Sequence, residues 1–278
     1  MSPEDAFAAC EATVRRFDPD RYFATLFAPA RKRPPLFALY AFNHEIARAA
    51  EATREPMMAE IRLQWWREAI EEARLGRPHA QPVVIALADL FARTSLPRGE
   101  FEALVDARSA EISPTPFADL SALETHAQAT ASRLMRLAAI ILDPAAEADL
   151  LTREAGIAYG LAGILRSIPF HAARDRCFLP ADLLGANGIA PADVLSPRNR
   201  EGAANVMSAV AQSAARHFAR GRQMPVPKHV LPAILPASLV PGYLRHIMRS
   251  PRDLRSAGDV SQLRRQLVLL RAMVLGRL

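Results

Sequence analysis

Cysteine and lysine are both scarce in this sequence. Its 278 residues include two cysteines, Cys10 and Cys177, which form no CxxC pair. Neither a disulfide framework nor a cysteine zinc site is therefore expected, which fits a reducing compartment. The only lysines are Lys32 and Lys228, so the formal net charge of +6 rests on arginine. An arginine-rich surface favours phosphate-bearing partners, although GC-rich coding explains the excess of Arg and Ala more simply.

Long apolar runs and signature motifs are missing as well. The sequence has no stretch of about 20 apolar residues, so no membrane-spanning helix is predicted. Residues 1–5 include two acids and no apolar run, so they do not resemble a secretory signal. The sequence has no GxxxxGK[ST], GxGxxG, HExxH or GxSxG motif. Its seven histidines include no i, i+4 pair, and no nucleic-acid motif occurs. We therefore expect neither a histidine metal site nor a nucleic-acid partner.

What the sequence does have is apolar residues at helical spacing along nearly its whole length, with little strand alternation. Caps and prolines predict helices that begin at Ser2, near Pro34 and after Pro56. No linker divides the chain, so we predict one all-α domain over residues 1–278. Further helices are predicted over about 80–94, 97–111, 117–142, 145–170, 199–221, 228–249 and 259–277, with short helices and turns over 174–198.

The segment 160–171 is the most informative local pattern. Its first half is small and apolar, with two glycines three residues apart, which permits close helix packing. Arg166 and His171 follow, and Arg174 lies just beyond. A buried helix that ends in cationic groups can hold an anion, whereas a core helix with a solvated basic end gives the same pattern. The residues alone leave both interpretations open.

Three longer segments carry a family resemblance. Residues 22–42 contain a helix, a proline, a basic residue and then the stretch ALYAF; residues 154–166 and 177–184 contain EAGIAYGLAGILR and CFLPADLL. In order and spacing these segments resemble the squalene and phytoene synthases. The resemblance implies an isoprenoid-synthase-type helical bundle with a central cavity. In that family two aspartate-rich motifs hold Mg²⁺ ions, which bind the diphosphates of two isoprenoid substrates.

The sequence departs from the family at those two motifs. Five of the six acidic positions hold neutral or basic residues, and only Glu51 is an acid. Mg²⁺ needs several carboxylate oxygens, so a site built on Glu51 beside Arg48 is expected to be very weak. We therefore assign no catalytic residue, no metal and no cofactor, with Mg²⁺ needed only if the chain is active after all. The family's acidic positions fall on Ala47, Arg48 and Glu51 in the first motif and on Ser167, Phe170 and His171 in the second.

The substituted pattern is similar to one branch of the superfamily, which includes the mitochondrial complex I assembly factor. The matching segments are residues 43–45, 55–67 and 160–171. This resemblance implies a role in respiratory-complex assembly at the inner membrane, and hence a respiratory-complex protein as a partner. Because the N-terminus is not transit-like, we expect a bacterial cytoplasmic form, with the inner-membrane surface as a peripheral location.

The resemblance also implies that the old cavity can still take an isoprenoid or lipid ligand. Its anionic head group would meet three arginines, Arg33, Arg166 and Arg174. The pocket itself would be lined by Tyr40, Asn43, His44 and Gly163.

The C-terminal helix has one apolar stripe, with arginines mainly off it. Residues 242–278 hold eight arginines against two aspartates. Such a helix can rest on an anionic membrane surface, but we favour packing of the stripe against the core, with a solvated basic face. The stripe consists of Leu263, Leu267, Leu270, Val274 and Leu278.

Three functions remain open. We favour a non-catalytic family member that binds a protein, a lipid or an isoprenoid. The first alternative is an active Mg²⁺-dependent prenyltransferase that joins isoprenoid diphosphates and holds its metal on Glu51 and unplaced acids. The second is a different activity with His44 or His171 as acid or base, since histidine titrates near neutrality.

Overall fold

The computed structural model describes residues 1–51, 55–113, 115–249 and 261–278. All regular secondary structure within these residues is helical, so the prediction of an all-α fold is confirmed. The chain divides into two compact units. The single-domain assignment stays a prediction. The first unit comprises Met1–Ser113, Arg133–Asp149 and Val226–Pro236, and the second comprises Pro114–Ser132, Leu150–Pro225 and Ala237–Leu278.

The α-helices are numbered here in chain order. None of those that the structure describes is long and apolar enough to cross a membrane. Their bounds are α1 (Pro3–Phe17), α2 (Pro19–Thr25), α3 (Arg33–Glu51), α4 (Pro56–Arg74), α5 (Pro82–Arg93), α6 (Glu100–Ser109), α7 (Leu120–Ala127), α8 (Arg133–Leu142), α9 (Asp149–Arg166), α10 (Ile168–Ala172), α11 (Ala181–Ala186), α12 (Arg200–Arg222), α13 (Leu231–Ile234), α14 (Val240–Arg249) and α15 (Gln262–Leu275).

Local sequence signals explain where several helices begin. Ser2 caps α1, with its hydroxyl accepting from the Asp5 amide at 3.1 Å, and Asp5 completes a capping box. Asp18 caps α2 by accepting from the Arg21 amide at 3.1 Å, and Pro19 occupies the first turn, where its missing N–H costs nothing. The starts predicted at Ser2, near Pro34 and after Pro56 correspond to α1, α3 and α4, and each is confirmed within one or two residues.

Three predicted helices are interrupted, and those predictions were wrong in continuity. The segment 117–142 contains a π-helical turn at Gln128–Ser132. The segment 145–170 breaks between α9 and α10, and 228–249 is a series of short 3-10 and α turns before α14. Prolines at 169, 232, 236 and 241 explain the last two cases, because proline removes a helical N–H and crowds the preceding turn. Residues 259 and 260, where the last helix was predicted to begin, lie outside the described residues.

Helix α3 forms the centre of the first unit. The seven consecutive residues from Leu36 to Phe42 are all buried, so this helix is apolar on every face, as expected of a core helix. The Phe42 ring packs against Trp66 of α4, with centroids 5.6 Å apart, and against Phe101 of α6 at 5.3 Å. The other tryptophan, Trp65, lies half-buried with its ring edge-on to His79 at 5.5 Å.

Helix α9 passes very close to the π-helical turn in the second unit. A Cβ added to Gly156 would lie 2.6 Å from the backbone nitrogen of Ser132 and closer still to its Cα. The Ser132 hydroxyl donates to the Arg153 carbonyl at 2.8 Å, so the approach is also hydrogen-bonded. At Gly160 an added Cβ would lie 3.0 Å from the Cβ of Ala127. Glycine at 156 is therefore a steric requirement of this packing.

Each unit holds one buried free cysteine. Burial is the main cause that raises the pKa of the Cys10 thiol to about 12, and the Glu45 carboxylate adds to it. Burial also raises the pKa of Cys177. Neither thiol is expected to react in the folded protein, because the thiolate is the reactive form.

The C-terminal helix α15 buries a different face from the one expected. Its buried residues are Arg265, Leu269 and Ala272. The apolar stripe is exposed instead, with Leu263, Leu267 and Val274 at 67%, 57% and 77% exposure. The prediction that the stripe packs against the core was therefore wrong, because the opposite side of the helix, which carries Arg265, Leu269 and Ala272, makes the contact.

We expect Gly156→Ala and Gly163→Ala, two substitutions on the same helix, to change stability in opposite directions. The methyl group at 156 overpacks the Ser132 contact and should lower the free energy of unfolding by about 1–3 kcal/mol. At 163 an added Cβ meets nothing within 4 Å, so alanine should raise the free energy of unfolding by about 1 kcal/mol through its higher helix propensity. Urea unfolding followed by circular dichroism measures both. Equal effects at the two positions would contradict the close approach.

Candidate functional site

The residues predicted for the first motif lie at the C-terminal end of α3, in the first unit. The Arg48 side chain is 63% exposed, and its Nη1 lies 3.9 Å from Glu45 Oε1. Ala47 and Glu51 are half-buried. An open cleft of about 520 Å³ lies alongside, lined by Glu45, Arg48, Ala49, Arg62, Trp65 and Trp66. This cleft presents two guanidinium groups and two indole rings beside a single carboxylate.

Three residues predicted to line a pocket are held by packing within the first unit. Tyr40 is buried beneath the Arg21 guanidinium, which lies 5.6 Å from its ring centroid, and burial raises the pKa of its hydroxyl. Asn43 Oδ1 accepts from Arg108 Nη2 at 2.9 Å. The His44 ring stacks on Phe17 at 4.5 Å. Burial is the main cause that lowers the pKa of His44, so its imidazole is favoured in the neutral form.

The residues predicted for the second motif lie at the junction of α9 and α10, in the second unit. Ser167 stands between the two helices, and Phe170 is exposed. The buried His171 ring packs edge-on against Phe178 at 4.6 Å and against Phe170 at 5.4 Å. Aromatic contacts therefore surround the histidine at a position where the resemblance places an acid.

Each of the three arginines proposed for anion binding has a partner within its own unit. Arg33 Nε donates to the Ala28 carbonyl at 2.9 Å. The Arg166 guanidinium lies 3.9 Å from the centroid of the Tyr243 ring. That of Arg174 lies 3.7 Å from the Phe170 ring, and its Nη1 donates to the Phe170 carbonyl at 3.2 Å. Gly163, nearly one turn before Arg166, has open space where a Cβ would be.

The donor set at the two motif positions does not fit Mg²⁺. That ion takes oxygen ligands in octahedral geometry, whereas these positions offer one carboxylate, one hydroxyl, an imidazole and a guanidinium. Within residues 1–51, 55–113, 115–249 and 261–278 there is no group of three or more His, Cys, Asp or Glu side chains placed to hold a metal ion.

A buried polar cluster in the second unit was missed from the sequence. The Glu154 carboxylate of α9 lies 2.8 Å from His217 Nδ1 and accepts from Arg220 Nε at 2.7 Å, both on α12. Ser213, one turn before His217, donates a short hydrogen bond to Glu124 of α7. The spacing of 213, 217 and 220 on one helix face was the available signal, but no pattern in the sequence identifies Glu154 as their partner.

The charges in this cluster stabilise one another. Burial alone would raise the pKa of Glu154, but the hydrogen bonds and charges of Arg220 and His217 outweigh it and lower the pKa. The cluster therefore links α9 to α12 through hydrogen bonds and opposite charges.

Comparison with known proteins identifies the family. The squalene/phytoene synthase family matches residues 14–271 of the chain. The chain belongs to this family. A crystal structure of a dehydrosqualene synthase in complex with ligand superposes with a TM-score of 0.83 at 17% identity, covering 98% of this chain and 97% of that one. The isoprenoid-synthase-type helical fold expected from the sequence is thus confirmed.

Relatives in the family have two different kinds of name. The NADH dehydrogenase (ubiquinone) complex I, assembly factor 6 of Homo sapiens is 29% identical over 248 residues, which cover 88% of this chain and 74% of that protein. The presqualene diphosphate synthase of Rhodopseudomonas palustris is 28% identical over 200 residues, which cover 71% of each chain. The resemblance to the assembly-factor branch is therefore confirmed at the level of sequence similarity.

We expect Glu154→Gln to lower the free energy of unfolding by about 1–3 kcal/mol at neutral pH, because it removes a buried charge-assisted contact. The folded-state pKa of Glu154 is lowered. Its contribution is therefore present above the pKa of an unfolded glutamate and is lost as the pH falls through the folded-state value.

Urea unfolding at a series of pH values measures both effects. Glu147→Gln, at an exposed loop residue, is the matched control and should leave stability and its pH dependence unchanged. If the Glu154→Gln variant lost as much stability in acid as the wild-type protein does, the cluster would not be the source of that loss.

Proposed function

We propose that this chain is a non-catalytic member of the squalene/phytoene synthase family with a binding or assembly role for respiratory complex I. The observation that carries the proposal is the extent of the likeness to the human complex I assembly factor. That likeness covers 88% of the chain, whereas the likeness to the presqualene diphosphate synthase covers 71%.

The chemistry at the motif positions supports the same proposal. Ionisation of an allylic diphosphate requires divalent cations, which neutralise the leaving group and are themselves held by carboxylates. Glu51 is the only carboxylate among the six positions, and the Arg48 guanidinium lies one turn before it. A fixed positive charge there opposes the binding of a divalent cation through like-charge repulsion.

The same substitutions favour an anionic ligand bound without metal. Arg166 and Arg174, in the second unit, can each meet a phosphate directly, because a guanidinium stacked on a ring still presents N–H groups at its edge. Arg33 is a separate cationic side chain of the first unit. We propose an isoprenoid or anionic lipid as this ligand and a protein of the respiratory complex as the macromolecular partner. The proposed location is the cytoplasmic surface of the inner membrane, in peripheral association.

The alternative with a specific observation in its favour is an active Mg²⁺-dependent prenyltransferase. It is supported by the 28% identity to the presqualene diphosphate synthase. Acid–base chemistry by histidine has less support, because His44 is stacked on Phe17 and His171 is enclosed by Phe170 and Phe178.

We expect the purified protein to release no diphosphate from farnesyl or geranylgeranyl diphosphate, with or without Mg²⁺. Released diphosphate and extracted lipid products are the two measurements. The Rhodopseudomonas palustris presqualene diphosphate synthase, assayed in parallel, controls for substrate quality. Circular dichroism of the same sample establishes that it is folded. Mg²⁺-dependent product would refute the non-catalytic assignment and favour the alternative.

An assembly role also predicts a cellular effect. Deletion of the gene in the source cells should lower the amount of assembled complex I, measured by native gel electrophoresis and by NADH oxidation in isolated membranes. Re-expression of the wild-type chain is the control for secondary effects. Normal levels of assembled complex in the deletion strain would argue against this role while leaving the turnover result unaffected.

A further inference from the structure

Helix α15 carries an apolar face that the described residues of its unit do not cover. Leu263, Leu267, Leu270 and Val274 follow one another at spacings of four, three and four residues, so they share one side of the helix. Each is exposed. A row of large apolar side chains in water is unfavourable by roughly 25 cal/mol per Å² of apolar area that could be buried. Such a row marks a surface that is covered in use.

An arginine-lined cleft lies beside this stripe. It is an open cleft of about 970 Å³ formed by α15, α14 and the C-terminal end of α12. Its floor includes Leu239, Val268 and Leu275. No Asp or Glu is among the described residues that line it, and none of its arginines forms an ion pair with a described carboxylate. The arginines are Arg222, Arg245, Arg264, Arg271 and Arg277.

Two of these arginines lie at the border between the stripe and the cleft. Arg264 directly follows Leu263, and Arg271 directly follows Leu270, so each is turned by about 100° from a stripe residue. Their guanidinium groups therefore line the edge of the apolar face. This is the arrangement of a helix that lies in a membrane interface, with its apolar side in the acyl region and its cations at the depth of the phosphates.

We infer that this surface docks on an anionic phospholipid bilayer, with the α15 stripe in the acyl boundary and a lipid phosphate in the arginine cleft. The inference rests on the peripheral membrane location proposed above and adds the surface and the lipid class. Charge selects the occupant: five arginines, with no carboxylate among the described residues that line the cleft, favour an anionic partner. The apolar stripe favours a partner that has hydrocarbon next to its charge. A bilayer of acidic lipid provides both in one plane.

Flotation with lipid vesicles tests this inference on the full chain. Binding is expected to vesicles of phosphatidylcholine mixed with phosphatidylglycerol, not to phosphatidylcholine alone, and it should weaken as salt is added. Arg264→Gln with Arg271→Gln should lower the partition coefficient by about 25-fold, since each basic residue near the surface contributes about fivefold. Arg31→Gln with Arg98→Gln, at two exposed arginines of the first unit, removes the same charge and should leave binding unchanged.

A second pair of substitutions tests the apolar face. Leu267→Ser with Val274→Ser changes only exposed residues, so folding should be retained, while binding to the anionic vesicles should fall because apolar burial is lost. Equal binding to neutral vesicles, or no effect of the cleft arginines, would overturn the inference. So would release by inorganic phosphate at constant ionic strength, which would indicate a small-anion site. Turnover is measured in a separate assay, so the two proposals can fail independently. Catalysis together with vesicle binding would refute only the non-catalytic function, whereas absence of both would refute only the docking surface.

Discussion

Helix α9 has to pass the π-helical turn at Gln128–Ser132 with no side chain between them, and the second unit is organised around that contact. Gly156 meets this requirement because it has no side chain, and the Ser132 hydroxyl fixes the register by donating to the Arg153 carbonyl. On another side of the same helix, Glu154 is held by His217 and Arg220. A steric contact and an ionic contact, two residues apart in sequence, thus fix the rotation and height of α9. Its last turn, which carries Arg166, has its position set by both.

The sequence predicts most of the helices because their signals are local. The start of α1 could be assigned from a capping serine followed by proline, and the start of α4 from Pro56 alone; both signals act within one turn. The continuity of long helices was less predictable. The π-helical turn contains no proline or glycine, so nothing local marks it, and its position depends on a helix more than twenty residues away.

The candidate site was only partly predictable for the same reason. Residue identities at the motif positions are read directly from the sequence, but the partners of those residues are not. That Arg174 stacks on Phe170, or that His44 stacks on Phe17, depends on rotamers and on neighbouring elements. The face that α15 buries was predicted wrongly because that side carries Arg265 beside Leu269 and Ala272, so its apolar pattern is weaker than that of the exposed stripe. Glu154 was visible as part of a family segment, whereas its ionic role required the position of α12.

The distribution of the two thiols has a practical consequence. Cys10 lies in the first compact unit and Cys177 in the second, and both are buried with raised pKa values. A thiol reagent can therefore modify each one only when its own unit opens. Because trypsin-derived peptides separate the two sites, mass spectrometry of partly labelled protein reads each opening rate independently. The chain thus carries a native reporter in each unit, with which the cooperativity of its unfolding can be followed without engineering a probe.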